Sequence, residues 1–152
     1  MLRIRVIPLV LLNSDYSVVK TIHFNIRRNL GNPIVVSRIY ESRKVDELIL
    51  LDIDASKEDR EIDLHTVEAV ASECFMPLTI GGGLKNCDDI EKALRSGADK
   101  ISLNSIIFDK PEFLREAVSV FGSQCIVASI DVRKDENGNY AVFSHSNRKV
   151  KY

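Results

Sequence analysis

Short runs of Val, Ile and Leu recur along this chain, each followed by a longer stretch with helical spacing. No other feature constrains the fold so strongly. The runs are Ile4–Leu12, Glu47–Ile53, Leu78–Ile80, Lys100–Leu103 and Cys125–Val132. Continuous apolar runs of this length fit strands buried on both faces of a parallel sheet. The intervening stretches are Pro33–Ser42, Ile62–Cys74, Asp88–Ser96 and Pro111–Val120. Val35, Val36, Ile39 and Tyr40 fall at helical spacing in the first of these. Leu64, Val67, Ala71 and Cys74 form a stripe in the second, and Phe113, Leu114, Ala117 and Val118 an inward face in the fourth. Asn86 is placed to cap the third helix, and Pro111 suits the first position of the fourth.

Strand-helix alternation of this kind predicts right-handed β-α-β units and an α/β fold. The first strand is separated from its helix by a long connection, Asn13 to Asn32, within which Val18–Ile26 alternates like a small hairpin. After the turn at Glu136-Asn137-Gly138-Asn139, Tyr140–His145 alternates as a hairpin strand extending the fifth run. No linker or low-complexity segment divides the chain, so residues 1–152 read as one domain.

The chain carries 21 basic and 22 acidic residues, a formal net charge of −1. That balance gives no electrostatic reason to expect nucleic acid or an anionic membrane as partner. No run approaches the roughly 20 apolar residues of a membrane helix. Cys74, Cys87 and Cys125 match no zinc spacing, and an odd count reads as reduced thiols in a cytoplasm. His23, His65 and His145 share no metal-ligand spacing and pair with no nucleophile, so they read as ordinary loop residues.

In parallel α/β folds the site lies at the C-terminal ends of the strands. Those ends offer Asn13, Asp52 and Asp54, Gly81-Gly82-Gly83, Asn104-Ser105 and Asp131. Glycines between a strand and a helix let backbone N–H groups approach an anion; they also make a tight turn. Asn104 and Ser105 suit a phosphate, or an N-cap before Pro111. Both pairs on adjacent strands would converge on one phosphate. Asp131 is positioned for general acid/base work, where burial would raise its pKa, or for pairing with a nearby cation. Asp52 and Asp54 would share a face and either hold a substrate hydroxyl or rigidify their own loop. At the opposite ends, Arg5, Glu47 and Lys100 lead into buried strands and need partners, the simplest being one another in a salt-bridge plug.

The motifs resemble a known family. They are Ile7-Pro8, Val18-Val19-Lys20, Asp46-Glu47-Leu48 with Leu51–Ser56, and Pro77–Gly83. Gly97–Lys100 with Asn104-Ser105, and Phe121–Cys125 with Ile130-Asp131, complete the set. Together they are similar to the cyclase subunit of imidazole glycerol phosphate synthase, a lyase of histidine biosynthesis, from residue 1 to about residue 149. The resemblance implies a (β/α)₈ TIM barrel of the ribulose-phosphate-binding type and a glutaminase subunit docked at its N-terminal face. Ammonia would pass a charged gate and cross the barrel to a phosphorylated ribonucleotide. By position, Arg5, Glu47 and Lys100 would form the gate of this ammonia channel, and Asp99 would face the glutaminase. Gly82, Gly83, Asn104 and Ser105 would hold a substrate phosphate. Lys20 would sit in the loop over the site, and Asp131 would be one of two catalytic aspartates. No cofactor or metal is implied.

Two departures shape the expectation. The family's first catalytic aspartate lies at the end of the first strand, where this chain has Leu11, and a leucine transfers no proton. Asp15 on the loop is a poor substitute. The pattern, including Arg38–Glu41 and Asp52–Glu58, is similar to a divergent branch from surface-polysaccharide (lipopolysaccharide) gene clusters, where the barrel helps supply ammonia for sugar amidation. Length is the second departure. A whole barrel takes about 250 residues, so the expectation is the N-terminal half plus a fifth strand, with Ser146–Tyr152 drifting from the family pattern. An open barrel edge would invite self-association. The alternatives are an inactive remnant that at most binds the glutaminase, and a genuine histidine-pathway cyclase.

Overall fold

The computed structural model describes residues 4–22, 26–135, 137–144 and 149–151. Ten strands and five helices run in the order β1 (Leu9–Leu12), β2 (Val18–Ile22), β3 (Ile26–Gly31), α1 (Pro33–Ser42), β4 (Leu48–Asp52), α2 (Leu64–Ala71), β5 (Leu78–Gly81), α3 (Cys87–Arg95), β6 (Lys100–Leu103), α4 (Ser105–Asp109), α5 (Pro111–Phe121), β7 (Ile126–Ala128), β8 (Val132–Lys134), β9 (Tyr140–Ser144) and β10 (Lys149–Lys151). A seven-stranded sheet has the order β3-β2-β1-β4-β5-β6-β7, and a three-stranded one the order β10-β9-β8. The larger sheet is mostly parallel: β1 runs parallel to β4, and β4 to β5. The chain's contacts fall into two compact units, Met1–Ile101 and Ser102–Tyr152, with β6 straddling the division.

In the first unit the β1, β4 and β5 strands bury one side. Val10, Leu12, Leu48, Leu50, Leu78 and Ile80 are all at most 3% exposed. The register pairs Val10 with Leu50 on that side and Leu9 with Ile49 on the other, where Leu9 is 54% exposed. The first strand begins later than its apolar run suggests. Pro8 has no N–H to donate, although its carbonyl still accepts from the Ile49 N–H and Val6 remains paired with Asp46.

The helix starts follow local chemistry. Asn32, Asp63 and Asn86 each occupy an N-cap and accept a backbone N–H from the first turn of α1, α2 and α3. On α1 the buried residues are Pro33 and Ser37, while Val35 and Ile39 stay exposed, contrary to the stripe read from the sequence. The Ser37 hydroxyl donates to the Pro33 carbonyl, which satisfies it without a polar neighbour.

In the second unit, α5 buries Phe113 and Ala117 as its spacing predicts. The expected single strand Cys125–Val132 is instead two, β7 and β8. Ser129 N–H reaches the Leu103 carbonyl, whereas the Asp131 carbonyl accepts from Phe143. The chain therefore changes sheets between Ala128 and Val132. The predicted hairpin strand is β9, and it pairs antiparallel with β8; His145 lies outside the described residues, as do Ser146, Asn147, Arg148 and Tyr152 of the divergent tail.

Candidate functional site

At the N-terminal ends of the strands the three charged residues meet. Glu47, 6% exposed just before β4, accepts from the Arg5 guanidinium through Oε1 and from Lys100 Nζ at 2.6 Å through Oε2. One carboxylate thus accepts charge-assisted hydrogen bonds from two cations. Arg5 is largely open to solvent, its side chain 62% exposed, and Lys100 is partly covered. Asp99, next to Lys100, is exposed and accepts the Leu78 N–H at 2.7 Å, closing the α3–β6 turn onto β5.

At the C-terminal end of β4 two carboxylates are buried. Asp52 accepts two contacts from Arg60, at 2.6 and 2.9 Å, and the Asp54 and Ala55 N–H groups through Oδ1. Asp54 accepts a bidentate contact from Arg27 on β3 and the Ser14 N–H at 3.2 Å, with Lys57 Nζ at 3.8 Å. The Arg27 fork holds the Asp54 carboxyl below the ordinary carboxylate range, against the opposing effect of burial. Asp52 likewise raises the Arg60 guanidinium above its usual value. β4 ends at Asp52, so the alternation that would have put both carboxylates on one strand face does not extend to Asp54. Both are engaged in rigidifying the loops, one of the two readings open from the sequence.

Gly82 and Gly83 form the turn after β5, both with positive φ. A Cβ on Gly82 would meet the Asp52 carbonyl oxygen at 2.2 Å, and one on Gly83 the Arg60 carbonyl oxygen at 2.6 Å. Close packing of the β5–α3 turn on the β4–α2 loop therefore requires glycine at both positions.

The loop after β1 is held by Asn13, whose side chain accepts the Ser17 N–H. Tyr16 takes a left-handed φ of 56° and lies under the Arg60 guanidinium, 5.3 Å from its ring centre. Asp15 stays exposed on this loop. Tyr16 lines an open cleft of about 470 Å³ together with Asp15, Ser17, Asn29, Asn32, His65 and Thr66. Leu11, at the expected acid position, pairs with Leu51 and Val19.

The second unit brings Asn104 and Asp131 together: Asn104 Nδ2 donates to Asp131 Oδ2 at 2.8 Å. Asn104 precedes the short helix α4 without capping it, and its Oδ1 is buried with no partner among the described residues. An unpaired buried amide oxygen costs roughly 1–3 kcal/mol, so this position is not explained by helix capping. Asp131 is half-buried between β7 and β8 rather than at the end of one long strand, and Ser105 is half-buried at the start of α4.

Lys20 is exposed on β2, directly opposite Arg28. The hairpin extends to Gly31, beyond the expected Ile26, and its tip at His23, Phe24 and Asn25 lies outside the described residues. His65 is exposed, and no cluster of metal-ligating side chains occurs among the described residues. Nor is any helix among them long and apolar enough to cross a membrane.

Sequence reasoning missed Arg27, Arg60 and Tyr16. The two arginines carry no motif, and only the need of a buried carboxylate for a cation could have prompted a search for them.

A mostly parallel sheet with its polar residues gathered at the strand ends defines an α/β protein of the (β/α)₈ class, here in partial form. The family model described as "Histidine biosynthesis protein" matches residues 5–151, and the chain belongs to that family. It is 50% identical over 147 residues to a Campylobacter jejuni protein named "Putative imidazole glycerol phosphate synthase subunit hisF2". The match covers 97% of this chain and 58% of that relative, so the chain spans little more than half the relative's length.

Proposed function

We propose that this chain is a cyclase-subunit-like barrel unit that takes up ammonia from a glutaminase subunit and passes it on for sugar amidation in surface-polysaccharide synthesis. The observation that carries the reading is the pairing of two features. Arg5, Glu47 and Lys100 are assembled around one buried carboxylate at the N-terminal ends of the strands. On β1 Leu11 stands where the family resemblance places a proton-transferring aspartate. Ammonia delivery needs a charged gate at the entrance. Cyclisation needs an acid/base pair, and loss of one member removes orders of magnitude in rate.

In this reading Asp99 faces the glutaminase, and Gly82 and Gly83 of the first unit and Asn104 and Ser105 of the second are each candidates to contact the phosphate of a phosphorylated ribonucleotide or sugar. Lys20 lies over the site, and Asp131, fixed by Asn104, is the remaining acid/base group. The name of the Campylobacter jejuni relative, a subunit of imidazole glycerol phosphate synthase, supports a partner subunit. Leu11, which transfers no proton, also fits a second reading: a unit that binds the glutaminase and catalyses nothing by itself.

Complementation of a histidine auxotroph lacking its cyclase subunit tests the choice of pathway. The expected outcome is no growth with this chain, alone or with a glutaminase. Growth without histidine would overturn the assignment to sugar amidation.

A further inference from the structure

The β2–β3 ribbon presents two different faces. Residues directly opposite in an antiparallel pair project to the same side, and the sides alternate along each strand. Thr21 opposite Arg27 and Val19 opposite Asn29 therefore share one face. That face is anchored: Val19 is 4% exposed, and Arg27 is clamped on Asp54. Lys20 opposite Arg28 and Ile22 opposite Ile26 share the other face. All four are exposed, Ile22 and Ile26 by 56% and 66%.

Like charges placed directly opposite on a ribbon are destabilising. Nothing nearby in the sequence relieves them, since no Asp or Glu occurs from Tyr16 to Tyr40 in a chain that has 22 acidic residues. Among the described residues neither Lys20 nor Arg28 is paired with a carboxylate. Asp54, which reaches the ribbon, is taken by Arg27 on the opposite face.

We propose that Lys20 and Arg28 form a two-pronged site for one phosphate group, with the Ile22–Ile26 pair as an apolar shelf for the organic part of a phosphomonoester. A dianion between the two cations turns their repulsion into two charge-assisted contacts, with Arg28 supplying a planar fork and Lys20 a point charge. The Arg27–Asp54 clamp fixes the ribbon from behind, so the pair is presented ready-made. The proposal deepens the reading of a phosphorylated ligand by adding Arg28, a residue that the family motifs do not supply.

The test is a titration of the whole chain with inorganic phosphate, followed by NMR at the Arg28 side-chain Nε–H and the Lys20 and Thr21 amides. The expected result is a saturating shift at all three. R28Q and K20Q should each weaken phosphate binding at least tenfold, R28K should retain part of it, and neither glutamine variant should lower Tm. Shifts that grow linearly without saturation, or an R28Q protein that binds as tightly as the parent, would overturn it. Because the readout is local and uses phosphate alone, it can fail while the ammonia reading stands, and the reverse.

Discussion

At the N-terminal ends of the strands one carboxylate, Glu47, is reached by cations 42 and 53 residues away in the sequence, Arg5 and Lys100. At the C-terminal end of β4 there are two carboxylates, and each has its own arginine: Arg60 for Asp52, eight residues on, and Arg27 for Asp54. The first arrangement leaves a surplus of positive charge around a single acid. Arg5 is 62% exposed at its side chain, so that arm of the cluster can open to water at small cost while Lys100 stays on Glu47. The second buries its carboxylates at 1% and 6% side-chain exposure and ties the β4–α2 loop to the β1–β2 loop and to β3. On the proposed reading the first is a gate and the second a scaffold, although both are built from ion pairs.

Four measurements would break or sharpen this contrast. The largest effect is expected from G82A. The new Cβ would meet the Asp52 carbonyl in a backbone conformation that disfavours side chains, for a loss of roughly 2–4 kcal/mol in urea unfolding. Next comes D54N, which leaves the Arg27 fork facing a neutral amide; the expected loss is about 2 kcal/mol. E47Q should cost less, about 1 kcal/mol, because Arg5 and Lys100 can turn to water. A larger loss for E47Q than for D54N would reverse the assignment of gate and scaffold.

The smallest effect concerns pH. Arg27 depresses the Asp54 carboxyl in the folded state. Its contribution is therefore present in full above the unfolded value of about 3.9 and is lost as pH falls through the lower folded value. Parent and D54N stabilities should converge in that acid window and differ by a constant amount from about pH 5 upward. A difference that instead grew between pH 6 and 8 would mean that another group is responsible. In the alkaline range Cys74 acts the other way. Burial, with the charge of Glu41, pushes its thiol up to about 11. That contribution is complete below the unfolded thiol value of about 8.5 and is lost as pH rises toward the folded one.

The sequence made the scaffold of elements plain where local chemistry decides it. Asn86, Pro33 and Pro111 mark helix starts that the structure keeps, and Lys100–Leu103 forms the strand expected of it. Legibility failed where long-range pairing decides. The apolar run Cys125–Val132 carries no sign that Ser129 and Asp131 hydrogen-bond to different strands. The short helix α4 has neither a side-chain cap nor buried residues and so no periodic signal. Of the candidate sites, the charged cluster at the N-terminal ends was readable because a charge entering a buried strand demands a partner. The arginines at the other end were not, because a carboxylate in sequence does not say which cation will fold back onto it. Asn104 was legible as polar at a strand end, but its contact with Asp131 depends on how β7 and β8 diverge.

The central claim is that the Glu47 cluster admits ammonia from a partner and that the end of β1 cannot complete cyclisation. The most direct measurement mixes the chain with the family's glutaminase subunit and follows both glutamine hydrolysis and imidazole glycerol phosphate formation. The account predicts that the two proteins bind, that glutamine turnover rises with the parent chain and not with a chain carrying Asp99→Lys, and that no imidazole glycerol phosphate forms. Absence of binding, or formation of imidazole glycerol phosphate in step with glutamine consumption, would contradict it.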